Sequence, residues 1–266
     1  PAIPACATII DPFPIRKWGT YFGDSNFDYG NDGCVDGNKN IYVIGTTSSL
    51  MNIATSGAYQ TTLGGNTWDG FIVKFDSTGN RVWSTYYGGS GADFGYSSAI
   101  DKNANIYLCG TTASTVNITT AGAHQTVHGS STTTTDGFLV KFDSSGVRQW
   151  ATYYGGSGAD EAYSCETDTF GNVFITGLAG SLNNIASTGA WQTTYGGIYL
   201  AKFNPNGVRQ WGTYFGNSIW DIGICCNTDI TGNAYVVGST FDNTGSFSTP
   251  GVHQTTPGGG TADALL

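Results

Sequence analysis

The chain has 266 residues, a formal net charge of −9 and only 10 Lys and Arg, scattered along its length. Such a balance excludes a phosphate-tracking basic face, so nucleic acid is not an expected partner. No run of about 18 apolar residues is present to cross a bilayer. With 11% charged residues, 14% aromatic residues and 40 Gly, the chain is too rich in rings and β-branched side chains to be disordered. Its polar but weakly charged composition points to a secreted or cell-surface β protein.

Residues 1–15 read as an N-terminal extension. They lack a basic segment followed by a long apolar one, so they are not a signal peptide, although they resemble what remains once one is removed. Six Cys occur, at Cys6, Cys34, Cys109, Cys165, Cys225 and Cys226, without zinc-ligand spacing. The adjacent Cys225 and Cys226 alternate faces on a strand and are not expected to pair. The thiols read as buried small hydrophobes; a disulfide involving Cys6 is the less favoured reading.

From residue 16 onward one pattern recurs. W-x-T-Y-[YF]-G begins at Trp18, Trp83, Trp150 and Trp211, a period of 61 to 67 residues. An Asp follows in each copy (Asp28, Asp93, Asp160, Asp221), and eight residues on a second Asp (Asp36, Asp101, Asp168, Asp229). Four further on is an Asn, at Asn40, Asn105, Asn172 or Asn233. A short β run comes next ("NIYVIGTT", "NIYLCGTT", "NVFITG", "NAYVVGST"), then a long polar loop with G-[AV]-[YHW]-Q-T. The repeat ends on "DGFIVKFDSTGN", "DGFLVKFDSSGV" or "GIYLAKFNPNGV".

Each copy holds four short strands, a to d, in chain order. The a–b link (Asp-x-x-x-Asn) and the c–d link (Asp-Ser-x-Gly) are tight and rich in turn residues, as hairpins require. Four antiparallel strands per 60-odd residues predict an all-β β-propeller of about four blades over residues 16–266. A solenoid is the runner-up, but its coils are shorter.

The pattern [FIV]-[VA]-K-F-[DN]-x-x-G-x-x-x-W-x-T-Y-[YF]-G, followed by D-x7-D-x3-N-x-[YF], resembles the SBBP family of β-propeller repeats. The resemblance implies a large secreted or surface protein of bacteria, Bacteroidetes-like, with flanking domains, and says little about function. The third repeat departs from the pattern, with Gly197 where Asp69 and Asp136 stand. The N-terminal d segment, Arg16 to Phe22, lacks its own c strand, and the terminal "ADALL" is a c strand without its d. Pairing the two is expected to close the last blade, unless the chain belongs to a larger ring.

A residue present in every blade is expected to do a blade-level job. The eight repeated Asp are therefore read as turn acceptors of backbone N–H groups in preference to calcium ligands, and no cofactor is expected. Lys74, Lys141 and Lys202, inside apolar c strands, are read as structural cations, paired with a carboxylate or reaching an edge. His124 and His253 share a slot with Tyr59 and Trp191, so that slot asks for a flat ring.

Glu161 and Glu166 occur in the third repeat alone. As a glycosidase pair they would face opposite ways unless a bulge intervened, and a catalytic role is not expected. The long b–c loops and the d–a links share one face of the propeller. That face carries the unrepeated rings Trp68, His128, Tyr195 and Trp220, candidates for stacking on a glycan, with loop pinning the plainer alternative. His128 by itself reads as a solvated loop residue. The expected function is a non-catalytic extracellular module for binding or adhesion, to a glycan or a surface protein, without membrane insertion. A polysaccharide-acting enzyme and a structural stalk or filament element are the alternatives.

Overall fold

The computed structural model describes residues 17–65, 67–129, 134–242, 244 and 247–266; the extension 1–15 with Cys6, and Arg16, lie outside them. Among the described residues there are fifteen strands and no helix, so none is long and apolar enough to cross a membrane. The first blade is β1 (Asp28–Val35), β2 (Ile41–Thr47), β3 (Asp69–Phe75) and β4 (Arg81–Tyr87). The second is β5 (Asp93–Ile100), β6 (Ile106–Thr112), β7 (Asp136–Phe142) and β8 (Arg148–Tyr154). The third is β9 (Asp160–Thr167), β10 (Val173–Ala179), β11 (Ile198–Phe203) and β12 (Arg209–Phe215). The last sheet has three strands, β13 (Ile222–Thr228), β14 (Ala234–Thr240) and β15 (Asp263–Leu265). Every sheet is antiparallel with neighbours in chain order. The fold is that of β-propeller blades.

The repeated Asp side chains make the hairpins. Asp36 Oδ1 accepts the backbone N–H groups of Asn38 and Asn40, both at 2.9 Å, and Asn40 Nδ2 donates to Asp36 Oδ2 at 2.7 Å. Asp101, Asp168 and Asp229 repeat this scheme. An Asp that satisfies its own turn leaves few orphan donors in a tight link. The c–d turns use Asp76 and Asp143 in the same way and close on Gly79 (φ 91°) and Gly146 (φ 87°), where the left-handed backbone favours glycine.

Two of the three buried clusters lie between blades; the third, Ile53, Phe71, Val73, Phe75 and Tyr86, belongs to the first blade. Tyr42, Ile44, Ile72 and Tyr87 of the first blade are fully buried with Ile106, Leu108, Phe138, Val140 and Phe142 of the second. A second cluster joins Tyr107, Cys109, Leu139 and Tyr154 to Cys165, Ile175, Tyr199 and Phe203 of the third. Polar bonds index the same boundaries. Trp83 Nε1 and Lys74 Nζ both donate to the Ser144 carbonyl, at 3.1 and 2.8 Å, and Trp150 Nε1 and Lys141 Nζ donate to that of Pro205, at 2.9 and 3.1 Å. Lys141 and Lys202 also pair with Asp101 (3.5 Å) and Asp168 (3.3 Å), so each repeated Lys is a structural cation.

Closure of the last blade by the N-terminal segment is not what the structure shows. Trp18 Nε1 donates to Ser77 O at 3.1 Å, and Phe22 packs on Phe71 and Phe75, so this segment lies against the first blade. It forms no strand, and β15 pairs with β14 alone among the described residues. Trp18 holds the seat in the following blade's c–d turn that Trp83 and Trp150 hold at the next boundaries, but the edge of β15 is not brought against its segment, and without that edge residues 17–22 have no ladder to join.

Candidate functional site

Asp28, Asp93, Asp160 and Asp221 sit at or just before the start of each inner strand. Asp93 accepts from the hydroxyls of Thr112 and Ser114 and from Gly89 N, and Asp160 accepts from Gly156 N (2.8 Å) and Ser181 Oγ (2.5 Å). Asp28 and Asp221 hold the same kind of ring of donors. These bonds tie the d–a link to the start of the b–c loop. Burial raises the Asp93 carboxyl and pushes Asp160 up to about 6 in spite of the donors. No group of three or more His, Cys, Asp or Glu fit for a metal ion exists among the described residues.

Gly197 in the third repeat has a visible consequence. Gln60 and Gln125 donate from Nε2 to Asp69 and Asp136, at 2.7 and 3.3 Å, whereas Gln192 donates instead to the carbonyl of Gly216 at 2.6 Å. The loop keeps its anchor without the carboxylate.

What this frame presents on the loop-bearing end is a row of aromatic rings. Phe27, in the link before β1, lies 6.3 Å from Tyr29 and 6.1 Å from Trp68, ring centre to ring centre. Trp68, at the end of the b–c loop, lies 5.9 Å from Tyr29 and 6.2 Å from Phe94 of the second blade. Phe94 stacks on Tyr96 at 6.4 Å, and Tyr96 meets Tyr163 of the third blade at 5.6 Å. Four of these six contacts are stacked, with interplanar angles of 2° to 29°. Phe27 and Tyr29 are 65% and 53% exposed and the other four half-buried, so the row is an open strip crossing three blades.

Polar groups flank it. Asn31 Nδ2 donates to the Gly95 carbonyl at 2.7 Å. The carboxyl of Glu161 lies beside Tyr96 and Tyr163; burial first, and that charge second, raise both phenols, Tyr96 to about 12. Glu166 is placed elsewhere: burial and then Asp32 raise it, and its Oε1 accepts Thr167 N at 2.8 Å. A bulge does fall between the two Glu, where β9 shifts register around Tyr163, so their partners on β10, Leu178 and Phe174, are four residues apart.

The four rings singled out in the sequence fare differently. Trp68 is the centre of the row. His128 is buried, not solvated: its ring stands edge-on to Tyr153 at 5.4 Å, with Nε2 3.2 Å from Thr112 O and Nδ1 3.9 Å from Asp136 Oδ2. It is therefore removed from the set of exposed stacking rings, because the long loop folds back onto its own d strand. Tyr195 packs on Tyr214 at 6.0 Å and pins its loop. Trp220 is 63% exposed and makes no ring contact with the row among the described residues.

The shared ring slot also pins loops: Tyr59 lies against Tyr87 and Phe142, His124 against Tyr154 and Phe203, and Trp191 against Phe215. Five rings of the row (Phe27, Tyr29, Phe94, Tyr96 and Tyr163) were not candidates from sequence. Their one signal is the aromatic pair at the start of the a strand, two residues apart in the second copy.

The thiols of Cys34, Cys109, Cys165, Cys225 and Cys226 are free; Cys109, Cys165 and Cys226 are buried, as small hydrophobes would be, while Cys225 is exposed.

Sheets of three and four antiparallel strands, stacked by recurring inter-blade bonds, define a β-propeller-repeat protein. Two segments of the chain, residues 82–116 and 149–186, match the SBBP family, described as a beta-propeller repeat. The chain is 27% identical over 237 residues to an uncharacterized WD repeat-containing protein of Acanthamoeba polyphaga mimivirus, covering 75% of this chain. It is 24% identical over 212 residues, 73% of this chain, to the regulatory protein FlaEY of Caulobacter vibrioides. The aligned regions span 16% and 21% of those relatives' lengths.

Proposed function

We propose that the chain is a non-catalytic binding module of an extracellular or cell-surface protein, and that it takes a glycan along the aromatic row. The observation that carries this reading is the continuous strip from Phe27 through Trp68 to Tyr163, open at the loop-bearing end and flanked by Asn31 and Glu161. Flat rings repeated at such spacings suit the C–H faces of successive sugars, and carboxylate and amide groups beside them suit sugar hydroxyls. A hydrolase on the same strip would need a second carboxylate near Glu161, and Glu166 keeps company with Asp32 and Cys34 instead. The weakly charged surface agrees with an extracellular setting.

A panel of bacterial, algal and plant polysaccharides tests the reading. Saturable binding is expected, weakened at least tenfold, about 1.4 kcal/mol, by Trp68→Ala and by Tyr29→Ala, and unchanged by Trp220→Ala, with circular dichroism unaltered. Silence across the panel, or binding indifferent to Trp68, refutes it.

A further inference from the structure

Every inner strand carries one extra residue. The ladders of β1, β5, β9 and β13 shift register at Asn31, Tyr96, Tyr163 and Ile224. A bulge re-aims the side chain it carries. In the second and third blades that side chain is a tyrosine, and the two rings meet at 5.6 Å with an interplanar angle of 43°. β5 packs between β1 and β9, and β9 between β5 and β13, so this part of the row has a sheet of the chain on either side.

Two residues before each bulge is a second slot of the row. In the second blade the two slots are neighbours, with Phe94 stacked on Tyr96 at 6.4 Å. The slot holds Tyr29, Phe94 and Ile222 in three copies and Glu161 in the third blade. A half-buried carboxylate thus stands in line with the rings, where the preceding blade has a ring. No Lys or Arg pairs with it among the described residues. The four inner strands contain no Lys or Arg at all, and their charged residues are all acidic. Burial first, and Glu161 second, hold the phenols of Tyr96 and Tyr163 protonated well above neutral pH, so both rings stay neutral.

A cation placed here gains twice. Its charge faces a carboxylate that is only partly screened by solvent, and it lies against the electron-rich faces of neutral rings. A sugar hydroxyl gains a hydrogen bond to the carboxylate and no attraction of the second kind.

We infer that the glycan taken by the row carries free amino groups, with an unacetylated hexosamine at Tyr96, Tyr163 and Glu161 and its ammonium held between the carboxylate and the two rings. The inference rests on the glycan reading of the row and narrows it to one chemical class. A lysine-rich peptide offers the charge without the flat C–H face that Phe94 and Trp68 are placed to stack on.

Calorimetric titration of the whole chain with three β-1,4-linked glucose-type hexamers tests this. They differ only at the second carbon, which carries an amine in the glucosamine hexamer, an acetamide in its N-acetylated form and a hydroxyl in cellohexaose. The glucosamine hexamer should bind about tenfold more tightly than either of the others at low salt, and the margin should narrow as salt is added. That salt dependence reads the charge without a variant. Glu161→Gln keeps the size and polarity of the side chain and removes its charge, so the margin should fall to about twofold or less, with circular dichroism unaltered. Hexalysine should bind about tenfold more weakly than the amino sugar.

Equal affinity for the three sugars, a margin indifferent to salt or to Glu161→Gln, or hexalysine bound as tightly as the amino sugar overturns the inference. Hexamers that all fail while a neutral polysaccharide of the broader panel binds overturn it and leave the glycan reading standing. Silence of hexamers and panel alike removes both.

Discussion

The hydroxyl of Ser164 accepts the backbone N–H of Cys226 across the boundary between the third and fourth blades, at 3.1 Å. The bond exists because β13 carries a bulge between Gly223 and Cys225, which releases the next N–H from its own ladder. Asp32 does the same for Ser98 at 2.7 Å, and Ser97 for Cys165 at 3.4 Å. The bulge thus serves to dock one blade on the next.

Ser164→Ala should therefore leave a buried N–H without its acceptor. The expected cost is about 1–3 kcal/mol, read as a lowered urea midpoint at unchanged slope. Ser164→Thr keeps the hydroxyl and should cost less. Equal stability of Ser164→Ala and wild type would show that the bulge N–H finds another partner and that docking rests on apolar contact alone.

Gly146 and Gly122 separate two roles of glycine. Both have positive φ, 87° and 76°. A Cβ on Gly122 meets nothing within 4 Å, whereas one on Gly146 would stand 2.9 Å from the Trp83 ring. Gly122→Ala should cost the backbone alone, about 1–2 kcal/mol. Gly146→Ala should cost more, since it also unseats Trp83 from the Ser144 turn; an overpacked core site adds roughly 1–3 kcal/mol. Chemical denaturation of the two variants side by side decides the matter, and equal losses would refute the seating role of Trp83.

Acid–base behaviour follows from two opposed sets of carboxylates. Burial pushes Asp69 up to about 7, helped by the neighbouring Asp93, and Asp160 up to about 6. A carboxyl raised in the fold binds its proton more tightly there than in the unfolded chain. Its contribution is therefore complete below the unfolded value near 4 and is lost as pH climbs towards 6–7. Asp36 and Asp168 run the other way. Burial works against their charge, but turn donors and the Lys partners outweigh it and hold them low, so their contribution is lost in acid below the usual carboxylate range. Thermal unfolding at fixed ionic strength should show a higher Tm at pH 5 than at pH 8. Asp69→Asn should flatten that slope, chiefly by raising stability at pH 8. A Tm that rises from pH 5 to 8, or an unaltered slope in the variant, would contradict the assignment.

Much of the fold was legible because repetition exposes it. Four copies of W-x-T-Y-[YF]-G mark the d strands and four of D-x7-D-x3-N mark the a–b hairpins, and a residue present in all copies is identified as structural without coordinates. Lys74, Lys141 and Lys202 were readable for the same reason. The candidate site was less legible, because the aromatic row draws one ring from a d–a link, one from a b–c loop and four from three different inner strands. Trp68 was visible as an unrepeated loop ring. Tyr29, Phe94, Tyr96 and Tyr163 were not, since on a strand an aromatic at an alternating position is equally a core residue. His128 misled because burial within a long loop has no period to read.

The sequence by itself determined the blade: strand length, turn chemistry and order follow from local alternation and from Asp and Gly at fixed offsets, all interactions within a few residues. Only the tertiary structure decided which blade each d-strand Trp seats against and where the aromatic rings line up. Those outcomes depend on how one sheet is rotated onto the next, and that rotation is set by side chains some 60 residues apart packing across the boundary, a distance no local pattern encodes.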